Sequence, residues 1–197
     1  MNKDTLINGL APSPKKSYTV REAEELAKSV LKDCGYDNFV GAIPIIKIAN
    51  SFGFLCIKAK GMPKDTAGNI FVGGATKDSY GADKVIVVGY SEDPKHQRFI
   101  IAHELAHYLM NYLGNEELQK QQLLFSKAYL KKKHNEEELC PDRFAAELLM
   151  PSEIFLKQFI KVLEACDYNK EYAILYLSNL FETKISSIEK RISEVIS

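Results

Sequence analysis

The stretch Arg98-Phe99-Ile100-Ile101-Ala102-His103-Glu104-Leu105-Ala106-His107-Tyr108-Leu109-Met110 reads as one continuous helix with a His-Glu-x-x-His motif at 103–107. Residues four apart on a helix project from one face a turn apart, so both imidazoles reach a single metal ion. Glu104 lies beside that ion without being used as a ligand. It is placed to take a proton from a water that the ion activates, the arrangement of a zinc hydrolase. The flanking residues Ile100, Ile101, Leu105 and Tyr108 set the helix against a core.

Working outward, Asp93-Pro94 supplies an N-cap and a first-turn proline, so the motif helix runs from there to about Leu113, before Gly114. Ahead of it the period changes. Phe54–Lys58, Gly68–Val72 and Lys84–Tyr90 are short, rich in Ile, Val and Phe, and bounded by Gly, Pro, Asp and Ser, which predicts a small three-stranded antiparallel sheet. Further upstream, Thr19 with Glu22 forms a capping box for a helix whose inner face is Val20, Ala23, Leu26, Ala27, Val30 and Leu31. A second helix starts at Pro44 and carries Ile45, Ile46, Ile48 and Ala49 inward. Residues 1–18, with Pro12, Pro14 and Lys15-Lys16, suit a flexible lead-in.

Downstream, Leu118, Leu123, Leu124, Phe125, Tyr129 and Leu130 suggest a partly helical excursion over 115–135. An apolar helix, Phe144 to Met150, follows Pro141 and is closed by Pro151. Helices are expected near 152–165, 168–180 and 185–196, the last two shaped like a helix-turn-helix. The fold class is therefore α+β: mainly helical, with the small sheet preceding the motif helix and a helical C-terminal region over 152–197 packed on a core over 19–151.

Composition narrows the partners. The 197 residues carry 26 basic and 26 acidic side chains, so the chain as a whole has no electrostatic reason to seek nucleic acid or an anionic membrane. Residues 151–197 hold six basic and seven acidic residues, with no basic stripe along the last helix, which argues against nucleic acid as a partner there too. Cys34, Cys56, Cys140 and Cys166 show no CxxC spacing, which argues against a disulfide framework or a cysteine zinc site. With no signal-like or membrane-spanning apolar run, a cytoplasmic protein is expected.

A catalytic zinc site needs a third protein ligand. His96 and His134 lack a supporting motif. Glu138-Leu-Cys-Pro-Asp142 is the better place: on a helix Glu138 and Asp142 share a face, so one carboxylate can bind metal while the other holds a ligand histidine. Glu138 is assigned as ligand and Asp142 as its supporting acid. Pro141 requires the helix to begin close to Glu138, and a later start would make Asp142 the ligand. Cys140, between them, reads as a small packed residue.

Two segments, Phe99-Ile-Ile-Ala-His-Glu-Leu-Ala-His-Tyr-Leu-Met110 and Glu138-Leu-Cys-Pro-Asp-Arg-Phe-Ala-Ala-Glu-Leu-Leu-Met-Pro151, resemble the ImmA/IrrE family of metallopeptidases. The second is the more specific. The resemblance implies a metallopeptidase core over 19–151, Zn2+ held by His103, His107 and Glu138, and Glu104 as catalytic acid/base. It also implies a protein substrate, a helix-turn-helix transcriptional repressor in a mobile-element or stress circuit. The chain departs from the family's usual pattern at Cys140 and Pro141, where a second acidic or amide residue and an alanine are more common. Two other readings stay open: a zinc-fold regulatory binder that cleaves weakly or only with a partner, and a DNA-binding regulator using the C-terminal helices.

Overall fold

Thr19 opens the first helix through a reciprocal cap: the Glu22 amide donates to its hydroxyl at 3.3 Å, and its own amide donates to the Glu22 carboxylate at 3.0 Å. Helix α1 (Val20–Asp33) buries Ala23, Ala27, Val30 and Leu31 against the helix that bears Glu138. The computed structural model describes residues 17–113, 125–130 and 136–196. The expected lead-in through residue 16, most of the 115–135 excursion, His134 and Lys131–Lys133 lie outside the described residues.

The described elements continue as α2 (Ile45–Ser51), β1 (Leu55–Ala59), β2 (Thr66–Val72), α3 (Gly74–Tyr80), β3 (Lys84–Gly89), α4 (Pro94–His107), a π-helical turn (Tyr108–Tyr112), β4 (Phe125–Leu130), α5 (Glu136–Leu149), α6 (Ser152–Ala165), α7 (Lys170–Leu180) and α8 (Ile185–Ile196). The α+β, mainly helical class holds, with three strands ahead of the motif helix. The sheet departs from expectation in two ways. Among the described residues it has four strands in the order β1-β3-β2-β4, and β1 runs parallel to β3 while the other pairs are antiparallel. Because β3 inserts between β1 and β2, β1 is no hairpin partner of β2, and the parallel pairing is closed by a crossover through β2 and α3.

The fourth strand, β4, lies where a partly helical segment was expected. Phe125, Tyr129 and Leu130 fit a helical spacing, yet pairing with β2 fixes this stretch as strand, since local period gives way where a neighbouring edge supplies backbone partners. The pairing shifts register between Thr66 and Gly68, a bulge beside the candidate site. Ile46, expected inward, is 50% exposed. With Ile45, Ile48 and Ala49 already filling the buried face of α2, a seven-residue helix has no room for it there.

Helix α4 lies across the sheet and is covered on its other sides by α2 and α5. Asp93 caps it, accepting from the Lys95 and His96 amides at 2.8 and 3.2 Å, with Pro94 in the first turn. Every residue from Ile100 to His107 is buried. Burying Ile100, Ile101 and Leu105 contributes roughly 1.5–3 kcal/mol each, so the motif sits on one of the most firmly anchored elements. The helix does not run unbroken to Leu113: after His107 it widens into the π-helical turn, where the Leu113 amide donates to the Tyr108 carbonyl at 2.8 Å.

The C-terminal helices fall within a residue or two of their expected limits and are tied to the rest by charge. Lys95, at the start of α4, donates to the Ser178 carbonyl and hydroxyl at 3.0 and 2.8 Å. Arg191 of α8, 1% exposed, pairs with buried Glu147 of α5, donates to the Met150 carbonyl at 3.0 Å and meets Glu194 at 3.3 Å. Arg143 links Glu24 of α1 to Glu194 of α8. Among the described residues no helix is long and apolar enough to cross a membrane.

Candidate metal centre

Helix α5 begins at Glu136, two residues before Glu138, and continues through Pro141. The start is earlier than the one that would have left the proline amide redundant, so the Glu137 carbonyl receives no i→i−4 bond from residue 141. That start puts Glu138 and Asp142 a turn apart on the face of α5 that meets α4.

Three atoms converge there. Nε2 of His103 and Nε2 of His107 are 3.1 Å apart, and each is 3.0 Å from Oε2 of Glu138. His103 is fully buried and His107 almost so, while the Glu138 side chain keeps 23% of its surface open. Behind His103, Nδ1 stands 2.9 Å from Oδ1 of Asp142. Since a carboxylate accepts, Nδ1 of His103 carries the proton and its Nε2 presents a lone pair when the ring is neutral. Two imidazole nitrogens and a carboxylate oxygen held this close form an acceptor-rich pocket, and the group His103, His107 and Glu138 could hold a metal ion.

The electrostatics follow from the carboxylates. Burial works to lower the His103 pKa, but hydrogen bonds to Asp142 and Glu138 and the nearby charges of Asp142 and Glu104 outweigh it and carry the group up to about 9. Hydrogen bonds from His103 and His107 hold Glu138 well below the usual carboxylate range. Any cation at this point would compete with protons, which is the ordinary pH dependence of histidine sites.

Glu104 points toward the sheet side of the same centre. It is fully buried, and its Oε1 accepts the Tyr129 amide of β4 at 3.1 Å. Gly68 of β2 explains how the carboxylate comes so near the strand. A Cβ at Gly68 would lie 2.2 Å from Cγ2 of Ile100, 3.3 Å from the Val87 carbonyl and 3.7 Å from Oε1 of Glu104. Only glycine lets α4 approach this closely.

The family model of the IrrE N-terminal-like domain, peptidase M78, matches residues 49–193. The chain belongs to this peptidase family. The match spans β1 to α8 and so takes in the motif helix, Glu138 and the C-terminal helices. No curated protein is similar enough to the chain to count as a match. Membership gives this M78 chain a metallopeptidase-type function, and the residues picked out from its sequence are the ones its fold gathers: His103, His107 and Glu138 together, Asp142 behind His103, and Glu104 beside them.

Three residues of the centre were not foreseen. Asn111 lies four residues beyond His107, with Nδ2 3.2 Å from Nδ1 of that ring, and the same one-turn arithmetic that paired the histidines would have found it. Tyr129 packs edge-on against His103, ring centroids 4.7 Å apart, and also meets His96 at 5.7 Å and Phe99 at 6.4 Å. Burial, with the charges of Asp142, Glu138 and Glu104, raises its hydroxyl pKa and keeps it a proton donor. No sequence signal marked it, because β4 was not recognised as a strand. Gly68 carried no signal beyond its place in a predicted strand.

Proposed function

We propose that the chain is a zinc-dependent endopeptidase that cuts a protein substrate, a helix-turn-helix transcriptional repressor being the class that the sequence resemblance favours. The observation that carries this reading is the triangle of His103, His107 and Glu138 atoms at 3.0–3.1 Å. Its donor set, two imidazoles and one carboxylate, suits zinc better than the oxygen-rich surroundings that magnesium, calcium or manganese prefer. Bound there, Zn2+ supplies Lewis acidity toward a water molecule and a peptide carbonyl.

The protein's own residues do the rest. Asp142 holds the His103 ring in the tautomer that offers Nε2. Glu104 takes the proton from the attacking water and passes it to the leaving amide nitrogen, and the Tyr129 amide fixes the direction of its carboxylate. The Tyr129 hydroxyl, kept protonated by its surroundings, is the candidate donor to the developing oxyanion. Substrate lies extended along β4, the end strand of the sheet order and the strand that touches both Glu104 and His103, so that backbone pairing holds it without demanding much sequence. A cytoplasmic setting belongs to this reading, in keeping with four cysteines that are all free thiols.

Glu104→Gln separates chemistry from binding. The variant should bind Zn2+ with wild-type stoichiometry and cleave a purified helix-turn-helix repressor that the wild-type protein cuts at least about a hundredfold more slowly, the scale of general acid/base catalysis. Undiminished cleavage by this variant would overturn the mechanism.

A further inference from the structure

The two candidate ligand histidines are held from behind by different chemistry. His103 Nδ1 faces a carboxylate, Asp142 Oδ1 at 2.9 Å, whereas His107 Nδ1 faces an amide, Asn111 Nδ2 at 3.2 Å. A carboxylate only accepts, so it permits His103 one neutral tautomer, with the proton on Nδ1. An amide carries a donor and an acceptor on opposite sides of one bond, and a half-turn about that bond exchanges them.

The backbone supports this use of Asn111. It sits in the π-helical turn that begins directly after His107, so its side chain hangs over the final turn of the motif helix, while the residue itself remains exposed. An exposed amide has room to turn. Asp142 side-chain exposure is 16%, and its helix is clamped against α1 and α4, so the acid has neither the room nor the chemistry to serve a second tautomer.

We propose that Asn111 is a positioning residue for His107 and a two-way partner that lets this ring exchange tautomers as a metal ion arrives and leaves. The inference rests on the zinc reading above. With an ion on Nε2, the His107 proton must sit on Nδ1, and Asn111 must present its oxygen. Without one, Nε2 of neutral His107 can donate to Glu138 Oε2, 3.0 Å away, while Nδ1 accepts from the Asn111 amide nitrogen. His103 makes no such exchange. Metal entry at this centre then calls for a tautomer change on one ring only, matched by rotation of one solvent-facing side chain.

Two full-length variants test it. Asn111→Leu removes both hydrogen bonds, and Asn111→Asp leaves only an acceptor, copying the partner of His103. Zn2+ affinity is read by competition with a chromophoric chelator, and the His107 tautomer by nitrogen-15 NMR of histidine-labelled protein before and after Zn2+ is added. Asn111→Leu should weaken Zn2+ binding roughly 10- to 100-fold, the usual effect of losing a hydrogen bond behind a ligand. Wild-type His107 should change from the Nε2–H to the Nδ1–H form on metal addition, whereas Asn111→Asp should hold Nδ1–H throughout and bind Zn2+ at least as tightly as wild type. Wild-type affinity in Asn111→Leu, or an Nε2–H form in metal-free Asn111→Asp, would overturn the role of Asn111 alone. Failure of the wild-type protein to bind Zn2+ would instead overturn the metal reading, and the tautomer exchange with it.

Discussion

Gly68→Ala tests how the sheet sets the position of Glu104. The added Cβ would lie 2.2 Å from Cγ2 of Ile100, whereas carbon atoms in ordinary contact are separated by about 3.5–4.0 Å. More than about 1 Å must therefore be gained by moving α4 away from β2 or by forcing Ile100 out of its rotamer. Ile100 is fully buried and stands one turn before Glu104 on α4, so the strain is delivered to the helix that carries the carboxylate. Overpacking of this kind costs about 1–3 kcal/mol, and in a chain of this length each kcal/mol lowers Tm by roughly 2–4 °C. Displacing a catalytic group by about 1 Å should cost on the order of a hundredfold in kcat/KM. Ile100→Leu removes the β-branch that carries Cγ2 at nearly constant volume and should cost under about 1.5 kcal/mol alone. The pair Gly68→Ala with Ile100→Leu should accordingly be more stable than the two separate losses added together. Urea unfolding of the four proteins, with cleavage rates alongside, measures the coupling. A Gly68→Ala protein with wild-type stability, or strictly additive losses in the pair, would refute the close-approach argument.

Asp142→Asn should weaken Zn2+ binding roughly 10- to 100-fold while leaving the far-UV spectrum unchanged, because it removes the anion behind His103 but keeps its shape. The protein stripped of metal by a chelator should show a signed pH dependence. The His103 pKa is raised in the folded state from an ordinary 6.5 to about 9, so its contribution to stability is complete below 6.5 and is lost as pH rises through about 9. Glu138 is shifted the other way, and its contribution is lost as pH falls below the ordinary carboxylate value of 4.5. Thermal unfolding across this range checks both limbs, and His103→Gln should flatten the alkaline one. Arg191→Met leaves Glu147 charged and buried and should cost about 3–5 kcal/mol, most of it recovered when Glu147→Met is added; equal losses in the single and double variants would contradict this.

Much of this architecture was legible because its signals are local. Thr19 with Glu22, Asp93 with Pro94, and the apolar spacing of the C-terminal segments each identify an element through interactions within a few residues, and those elements appear where the spacing puts them. The His103–His107 pair and the Glu138–Asp142 pair were legible for the same reason, since one helical turn is a local distance. What joins the pairs is not local. Phe125–Leu130 is a strand because β2 offers an edge, and β1 is parallel to β3 because of the path between them. Tyr129 escaped notice with its strand. Gly68 looked like any strand glycine until Ile100 and Glu104 were seen packed over it. Pro141 calls for a helix that begins close to Glu138; the helix begins at Glu136 and runs through the proline, since the packing of α5 against α1 and α4 outweighs a single missing backbone hydrogen bond.

The most direct measurement of the central claim is the metal content of full-length protein purified without added metal, compared with that of Glu138→Ala and His107→Ala. Elemental analysis should find close to one zinc per wild-type chain, and both variants should lose most of it while remaining folded. Zinc retained at the wild-type level in Glu138→Ala, or a wild-type chain that carries and takes up none, would contradict the account.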